Sequence, residues 1–423
     1  MIRSKQFDHP SAQHSDVAAL EDLPSCDLTS ENTFDVANDG FDTVCRQSCY
    51  ASGNTVYESA YPQQIGPHQA RQTQELEHSV AQLTEYLAYF GIGSARDFKK
   101  ASEGRIGNNY FAQTNDGRQI IIRIYNLSKG RALGYQIERF LFEVDALLFF
   151  QHRRAKGLLQ TLQTPALLPT IDGSGRHYRI DHHATDGDAN FIVVYDAIPG
   201  NTLDRDDLGV DKADSAGKGL YHLLQVAVDY YPGDHTQPGG ISYISGILST
   251  LMQRSPGLAQ DPTILQMAKY IADVPRRTAI ENTPKGIVHG DYFFENTLWA
   301  QNGSLHGIID FGDCFYGEVL HDIAVGAMEF SMRNDEVFDT DACAAFLTHF
   351  ASWFKKHSID SDLFIHVLLC NCVRYAVHLM TIGLDDGLPE HSVVDIDYNP
   401  YLHRFGFFQH PATHSSIANT FPN

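Results

Sequence analysis

His289-Gly290-Asp291-Tyr292-Phe293-Phe294-Glu295-Asn296, then fourteen residues further on Asp310-Phe311-Gly312, is the stretch that decides how this chain is read. Leu298-Trp299, a turn at Asn302-Gly303, and Gly307-Ile308-Ile309 lie between the two segments. Short apolar runs on either side of an Asn-Gly pair read as a hairpin. A hairpin there returns Asp310 to the neighbourhood of Asn296, beside Asp291. Transfer of a phosphoryl group from a nucleotide needs a carboxylate to take or orient the proton of the attacking hydroxyl. It also needs oxygen ligands to hold magnesium on the phosphates. Asp291 suits the first task, and Asn296 with Asp310 suits the second. Singly, His289-Gly290-Asp291 reads as a turn and Asp310 as a strand cap. Together, at this spacing and behind an Ile-Ile strand, they are hard to obtain by chance.

Upstream, Phe191-Ile192-Val193-Val194-Tyr195 has the β-branched and aromatic content of a buried strand. It runs into a Pro-Gly turn at Asp196-Ala197-Ile198-Pro199-Gly200. Before it, Tyr110 to Gln113 and Arg118 to Tyr125 flank Asp116-Gly117, a hairpin signal. Arg123 is the single charge in the apolar run Ile120–Tyr125 of the second arm, which also fits a charge facing outward on an edge strand. Residues 135–152 form a helix with Phe140, Val144, Leu147 and Leu148 on one side. Both Glu138 and Glu143 lie within it as candidate partners for Arg123. Leu76, Val80, Leu83 and Leu87 fall at helical spacing, and Gly91 follows as a stop. Residues 173–190, with Asp181, His182, His183, Asp186 and Asp188, read as a polar tip rather than a metal site, since no third ligand is placed by periodicity. After Gly200 the pattern is mainly helical. The result is an α+β chain in three parts. Residues 1–72 read as a polar, mostly disordered or loosely attached extension, too poor in clustered aliphatics to offset ordering entropy, with Phe34, Phe41, Tyr50, Tyr57 and Tyr61 leaving room for some docking on the domain. Residues 73–197 form a β-rich part, and residues 198–423 form a mainly helical part that contains the Asp291–Gly312 stretch.

Composition narrows the partners. The 423 residues carry a formal net charge of −21, with 43% hydrophobic and 20% charged residues. Nucleic acid and anionic lipid both demand clustered Lys and Arg, so neither is expected as a partner. Seven cysteines, with Cys45 and Cys49 four apart and Cys370 and Cys372 two apart, match no zinc framework and read as reduced thiols. No apolar run approaches the ~18 residues of a bilayer span. The N-terminus soon turns acidic and lacks the core of a signal peptide. Together these point to a cytoplasmic protein.

Protein kinases carry His-Arg-Asp-x-x-x-x-Asn followed by Asp-Phe-Gly. Here the Arg position is Gly290, and His-Gly-Asp resembles the aminoglycoside phosphotransferase and choline kinase superfamily. Within it the chain is most similar to the homoserine kinase branch, over residues 76 to 408. Glu103-Gly104-Arg105-Ile106-Gly107-Asn108-Asn109-Tyr110-Phe111 is similar to that branch's opening Gly-x-x-x-x-Asn-Tyr-x-Val. His321-Asp322-Ile323-Ala324 follows in the expected order, and Tyr401-Leu402-His403-Arg404-Phe405 resembles the branch's end.

The resemblance implies a protein-kinase-like fold with a small β-rich lobe, residues 73–197, that binds nucleotide and a larger helical one, residues 198–423, that carries the catalytic loop and acceptor site. It also implies roles for individual residues. Asp291 would be the catalytic base, and Asn296 and Asp310 the magnesium ligands. Asp322, with His289, would brace the catalytic loop. Gly104 and Gly107 would cover the phosphates. Arg123, oriented by Glu143, would clamp the phosphates, and Tyr195, Asp196 and Ile198 would form the hinge that reads adenine. Tyr292, Asp313, Tyr316 and Arg374 are candidates to meet the acceptor; Asp313 fits equally a metal-assisting acid or a plain Gly-Asp turn. Three features depart from the branch: Arg replaces the clamp Lys, Gly replaces Ala before Asp291, and the 72-residue front extension has no counterpart. The implied reaction is ATP- and magnesium-dependent phosphorylation of a hydroxyl on a small metabolite, an amino alcohol or a homoserine-like hydroxy amino acid. An antibiotic or protein acceptor, or a non-catalytic binding module, is the alternative. Against a protein acceptor, no Ala-Pro-Glu closes a loop after Gly312.

Overall fold

The computed structural model describes residues 78–103, 107–127, 137–182, 189–232, 240–333, 337–383 and 397–421. The expected 1–72 extension, Leu76, Gly104, His183, Asp186 and Asp188 lie outside them. The Asp116-Gly117 signal is met by a tight turn with Gly117 at φ +89°. It joins strands that are numbered here in chain order. Helix α1 (Val80–Tyr89) comes first and ends before Gly91 at φ +72°. Then come β1 (Ala95–Glu103), β2 (Gly107–Thr114), β3 (Gln119–Asn126), helix α2 (Ile137–Ala155), β4 (Arg179–Asp181) and β5 (Asn190–Asp196). The five strands form one antiparallel sheet in the order β1-β2-β3-β5-β4.

Period-two alternation divides this sheet's side chains between two cores. Ile120, Ile122 and Ile124 of β3, with Ile192 and Val194 of β5, pack against Leu83, Tyr86 and Leu87 of α1. The opposite row, Ile121, Tyr125, Phe191, Val193 and Tyr195, meets Phe140, Val144 and Leu147 of α2. Arg123 belongs by parity to this second row and so faces α2, not solvent.

Past the turn at Gly200 the chain is mainly helical, as the sequence suggests. It contains α3 (Val210–Ala227), α4 (Ile241–Arg254), α5 (Pro262–Ile271) and α6 (Val274–Glu281). Four short strands follow: β6 (Lys285–Val288), β7 (Thr297–Trp299), β8 (Leu305–Ile308) and β9 (Phe315–Glu318). The chain closes with α7 (Leu320–Ser331), α8 (Thr340–Thr348), α9 (Ala351–His357), α10 (Ser361–Gly383), α11 (Asn399–Gln409) and α12 (Pro411–Thr420). Strand β6 pairs with β9 and β7 with β8, giving two ribbons that hold the loops between them. The whole is a two-lobed α+β fold. The second core of the sheet is continuous with the core of the helical lobe, from Ile121 through Phe311, Phe346 and Phe364 to Ile417.

One expectation is corrected here. Ser361–Thr381 is 21 residues long, with a mean hydropathy of 1.6 over its best 18-residue window, so by length and composition it does reach bilayer dimensions. That window is 72% buried within the fold. Its apolarity is explained by its place as a central helix, packed against α7 and α11.

Candidate active site

The loop between β6 and β7 is held by hydrogen bonds from the elements around it. Asp322, fully buried at the start of α7, accepts the backbone N–H of His289 at 2.6 Å and of Gly290 at 2.9 Å. Burial raises the Asp322 carboxyl to about 6, and the two N–H donors work against that rise. The His289 ring closes the next link. Its Nε2 lies 2.9 Å from the Ile309 carbonyl, which can only accept, so Nε2 carries the proton. Nδ1 is then free to accept the Asp291 N–H at 3.2 Å. Burial lowers the imidazole to about 4, which keeps it neutral in this bridging role. From the other side, Tyr375 of α10 donates its hydroxyl to the Gly290 carbonyl at 2.8 Å.

Asp291 emerges from this support. Asn296, closing a 3-10 turn (Phe294–Asn296), donates Nδ2 to the Asp291 carboxylate at 2.8 Å and to its carbonyl at 2.9 Å. That leaves the Asn296 Oδ1 as the amide's ligand atom. Strands β7 and β8 then return the chain, with Thr297 opposite Ile308, and the Ile309 N–H donates to the Asn296 carbonyl at 3.0 Å. Asp310 follows directly. Burial, and next the charge of Asp310, push the Asp291 carboxyl up to about 7; Asn296 and Arg374 pull the other way. Asp310 itself is half exposed and stands in the left-handed region at φ +61°, a conformation Asp tolerates better than most side chains. Burial disfavours its charge, but the Arg123 guanidinium outweighs that and leaves its pKa below the ordinary value.

Arg123 ties the lobes together. Its Nη2 is 2.8 Å from Asp310 and its Nη1 is 3.3 Å from Glu143 of α2. Of the two acids considered on that helix, Glu143 is buried and Glu138 is exposed. Arg139, one turn before Glu143 and not singled out from sequence, donates Nε to the Gly312 carbonyl at 2.8 Å and pairs with Asp313. The i, i+4 spacing of Arg139 and Glu143 on one helix face was the available signal.

Several expected site residues sit elsewhere. Tyr292 is fully buried and donates its hydroxyl to the Ala216 carbonyl of α3 at 3.0 Å; it plugs the core rather than lining a pocket. Tyr316 lies half-buried on β9 opposite Ile287, with its ring beside Tyr230. Asp313 is taken up by Arg139. Gly107 is the first residue of β2, paired with Tyr125. A Cβ there would come 2.1 Å from the Ile124 carbonyl oxygen, so strand contact accounts for this glycine. Of the residues expected to form a hinge, Tyr195 is buried in β5. Asp196 pairs at the surface with Arg118 (2.8 Å from Nη2), and Ile198 packs where a Cβ on Gly307 would be, 2.8 Å away. Arg374 of α10 lays its guanidinium over the Phe315 ring at 4.6 Å.

Comparison with known proteins gives the chain a family and a fold. The model of a family described as "Phosphotransferase enzyme family" matches residues 97–354. Homoserine kinase of Phenylobacterium zucineum is 26% identical over 268 residues, 62% of this chain and 73% of that protein. Homoserine kinase of Beijerinckia indica is 26% identical over 345 residues, 78% of this chain and 94% of that one. Among solved structures, amicoumacin kinase in complex with AMP-PNP, Ca2+ and Ami superposes with a TM-score of 0.50 at 14% identity, covering 77% of this chain and 89% of its own. The GDP and kanamycin complex of APH(2")-IIia gives 0.50 at 15% identity, covering 81% and 100%. At these identities the two structures speak for the fold.

Proposed function

This chain belongs to the phosphotransferase enzyme family and is a small-molecule kinase; on that premise we propose that it transfers the γ-phosphate of magnesium-bound ATP to a hydroxyl of a small amino alcohol or homoserine-like hydroxy amino acid. The observation that carries the reading is the position of Asp291. It is fixed by Asn296, stands beside Asp310 across the hairpin, and has a carboxyl poised at about 7. A base near the operating pH both accepts a proton readily and is available unprotonated. Asp291 would orient the acceptor hydroxyl and take its proton as the bond from its oxygen to the γ-phosphorus forms and the bond to the departing ADP oxygen breaks.

Asn296 Oδ1 and the Asp310 carboxylate would hold magnesium. Among the described residues no group of three or more His, Cys, Asp or Glu is placed to hold a metal. A two-ligand protein site still suits magnesium, which keeps several waters and binds phosphate oxygens. When bound, the ion would neutralise charge on the transferring phosphate. Arg123 would turn its fork from Asp310 to the phosphates, held in place by Glu143. The homoserine kinases found at 26% identity support the hydroxy amino acid over an antibiotic, because the antibiotic kinases share only the fold.

The test is a nucleotide-consumption screen over homoserine, choline, ethanolamine, hydroxylysine and aminoglycosides, run beside the Asp291→Asn variant. Asp291→Asn is expected to lose turnover by at least ~100-fold while calorimetry shows nucleotide affinity nearly unchanged. Turnover near the wild-type rate would remove Asp291 from the chemistry.

A further inference from the structure

Helix α10 contributes two neighbouring side chains to the loop that carries Asp291. Tyr375 is satisfied by the Gly290 carbonyl. Arg374 is not satisfied. Its guanidinium lies over the ring of Phe315, 4.6 Å from Cζ to centroid, and 5.8 Å from that of Tyr375. Its Nη2 stands where a Cβ on Gly290 would approach to 3.0 Å, against the backbone that leads into Asp291. Its Nη1 is buried and has no hydrogen-bond partner. None of the ion pairs found among the described residues engages Arg374, although the site around it is acidic. The other two arginines at the site are both paired, Arg123 with Asp310 and Glu143, and Arg139 with Asp313.

A buried cationic donor left without an acceptor is costly, and native folds seldom keep one without a use. Electrostatic support of Asp291 and Asp322 would not by itself require a nitrogen without a hydrogen-bond acceptor. The two aromatic rings hold the planar fork without consuming its donors. That is the arrangement suited to a planar anion, since guanidinium matches a carboxylate two bonds at a time. Arg374 also belongs to the helical lobe, whereas Arg123 and Glu143, on the nucleotide side, belong to the sheet lobe.

We propose that Arg374 reads a carboxylate on the acceptor, on the same small molecule whose hydroxyl is presented to Asp291, so that the acceptor is a hydroxy acid rather than a carboxylate-free amino alcohol. This rests on the reading of Asp291 given above and adds the acceptor's second anchor. Arg374 makes no contact with the reacting atoms; it selects and positions.

The experiment compares L-homoserine with 2-amino-1,4-butanediol, the same skeleton without the carboxylate. Each is titrated into the full chain with magnesium and a non-hydrolysable ATP analogue, and each is then used in steady-state kinetics. Wild type is expected to prefer L-homoserine. Arg374→Gln is expected to weaken L-homoserine by roughly 10- to 100-fold, the range of a lost hydrogen bond to a charged group. It should leave 2-amino-1,4-butanediol and the nucleotide constant within about 3-fold, and Arg374→Lys should recover part of the loss. Equal losses for both acceptors would make Arg374 a loop brace and overturn the proposal. So would a wild-type chain that binds 2-amino-1,4-butanediol as well as L-homoserine, or that binds neither L-homoserine, L-serine nor 4-hydroxybutyrate. The wild-type comparison needs no variant to fold. Consumption of nucleotide with an amino alcohol alone would sink the role of Arg374 and leave the kinase reading standing, whereas unimpaired turnover in Asp291→Asn would sink that reading.

Discussion

Gly290 stands at φ +82°, and a Cβ there would lie 2.3 Å from the Asp313 carbonyl oxygen. A side chain would meet both a left-handed backbone penalty of ~1–2 kcal/mol and a backbone oxygen that cannot swing aside. Gly290→Ala is therefore expected to destabilise the fold by at least ~1–2 kcal/mol in denaturant titration. It should also lower turnover out of proportion, because the atom that must move belongs to Asp313 and its partner Arg139. Asp291 offers a pH test. Its carboxyl is raised from the ordinary 3.8 to about 7 by burial and by Asp310. Its proton is therefore held below pH 7 in the free protein, and basic catalysis should fall away on that acidic side. A magnesium–nucleotide complex beside Asp310 would cancel the second cause, so the titration should move to lower pH when it is added. Carboxyl NMR of the two states measures this, and an Asp291 titrating near 4 in the free protein would contradict it. At this scale the sequence was legible where spacing constrains chemistry: Asp291, Asn296 and Asp310 meet as their intervals require. It was silent where only a direction matters. Tyr292 follows Asp291, but its hydroxyl points at Ala216; an aromatic reads the same in a core and in a pocket.

Among the elements, α3 and α8 approach closely because α3 carries a glycine at the crossing. A Cβ on Gly217 would lie 2.3 Å from the backbone oxygen of Phe346. Since α3 also packs on α7, whose first turn holds Asp322, this crossing helps set the loop support. Gly217→Ala is expected to cost ~1–3 kcal/mol through forced separation of the helices. In contrast, Gly246→Ala in α4, where a Cβ meets nothing within 4 Å, should be neutral or mildly stabilising by ~0.5–1 kcal/mol. Paired chemical denaturation curves check both. The hairpin of β2 and β3, the strand β5 and the helix α2 were legible because apolar periodicity and turn residues agree. Strand β1 was not: Ala95–Glu103 has three basic and two acidic residues among nine and no apolar alternation. It lies at the sheet's edge, where charge guards against further pairing and pattern is lost. The span of α10 was misjudged because His366, Asn371 and Arg374 interrupt its apolar run. Two of these, Asn371 and Arg374, sit at the loop support: Asn371 binds His321 beside Asp322, and Arg374 lies against Gly290.

For the molecule as a whole, the sequence indicated two lobes but not how they are joined. The strand order sets β5 beside β3 across a helix and a long connection, a non-local pairing that no local pattern announces. The same pairing puts Arg123 on the face that meets α2 and brings Glu143 within reach of the catalytic lobe. The apolar row beneath it does not stop at the lobe boundary, since one contiguous core runs from Ile121 of the sheet to Ile417 of the last helix. A chain built this way has no seam along which one half can melt while the other persists. Heating should therefore give one cooperative transition, with calorimetric and van't Hoff enthalpies in agreement, and two resolved peaks would show that the shared core does not bind the halves into one unit. Opening to admit a nucleotide would then be confined to the turn after β5 and to the contacts of Arg123 and Arg139 with the Asp310–Asp313 segment, as a small rocking of parts that stay melded and not a parting of independent bodies.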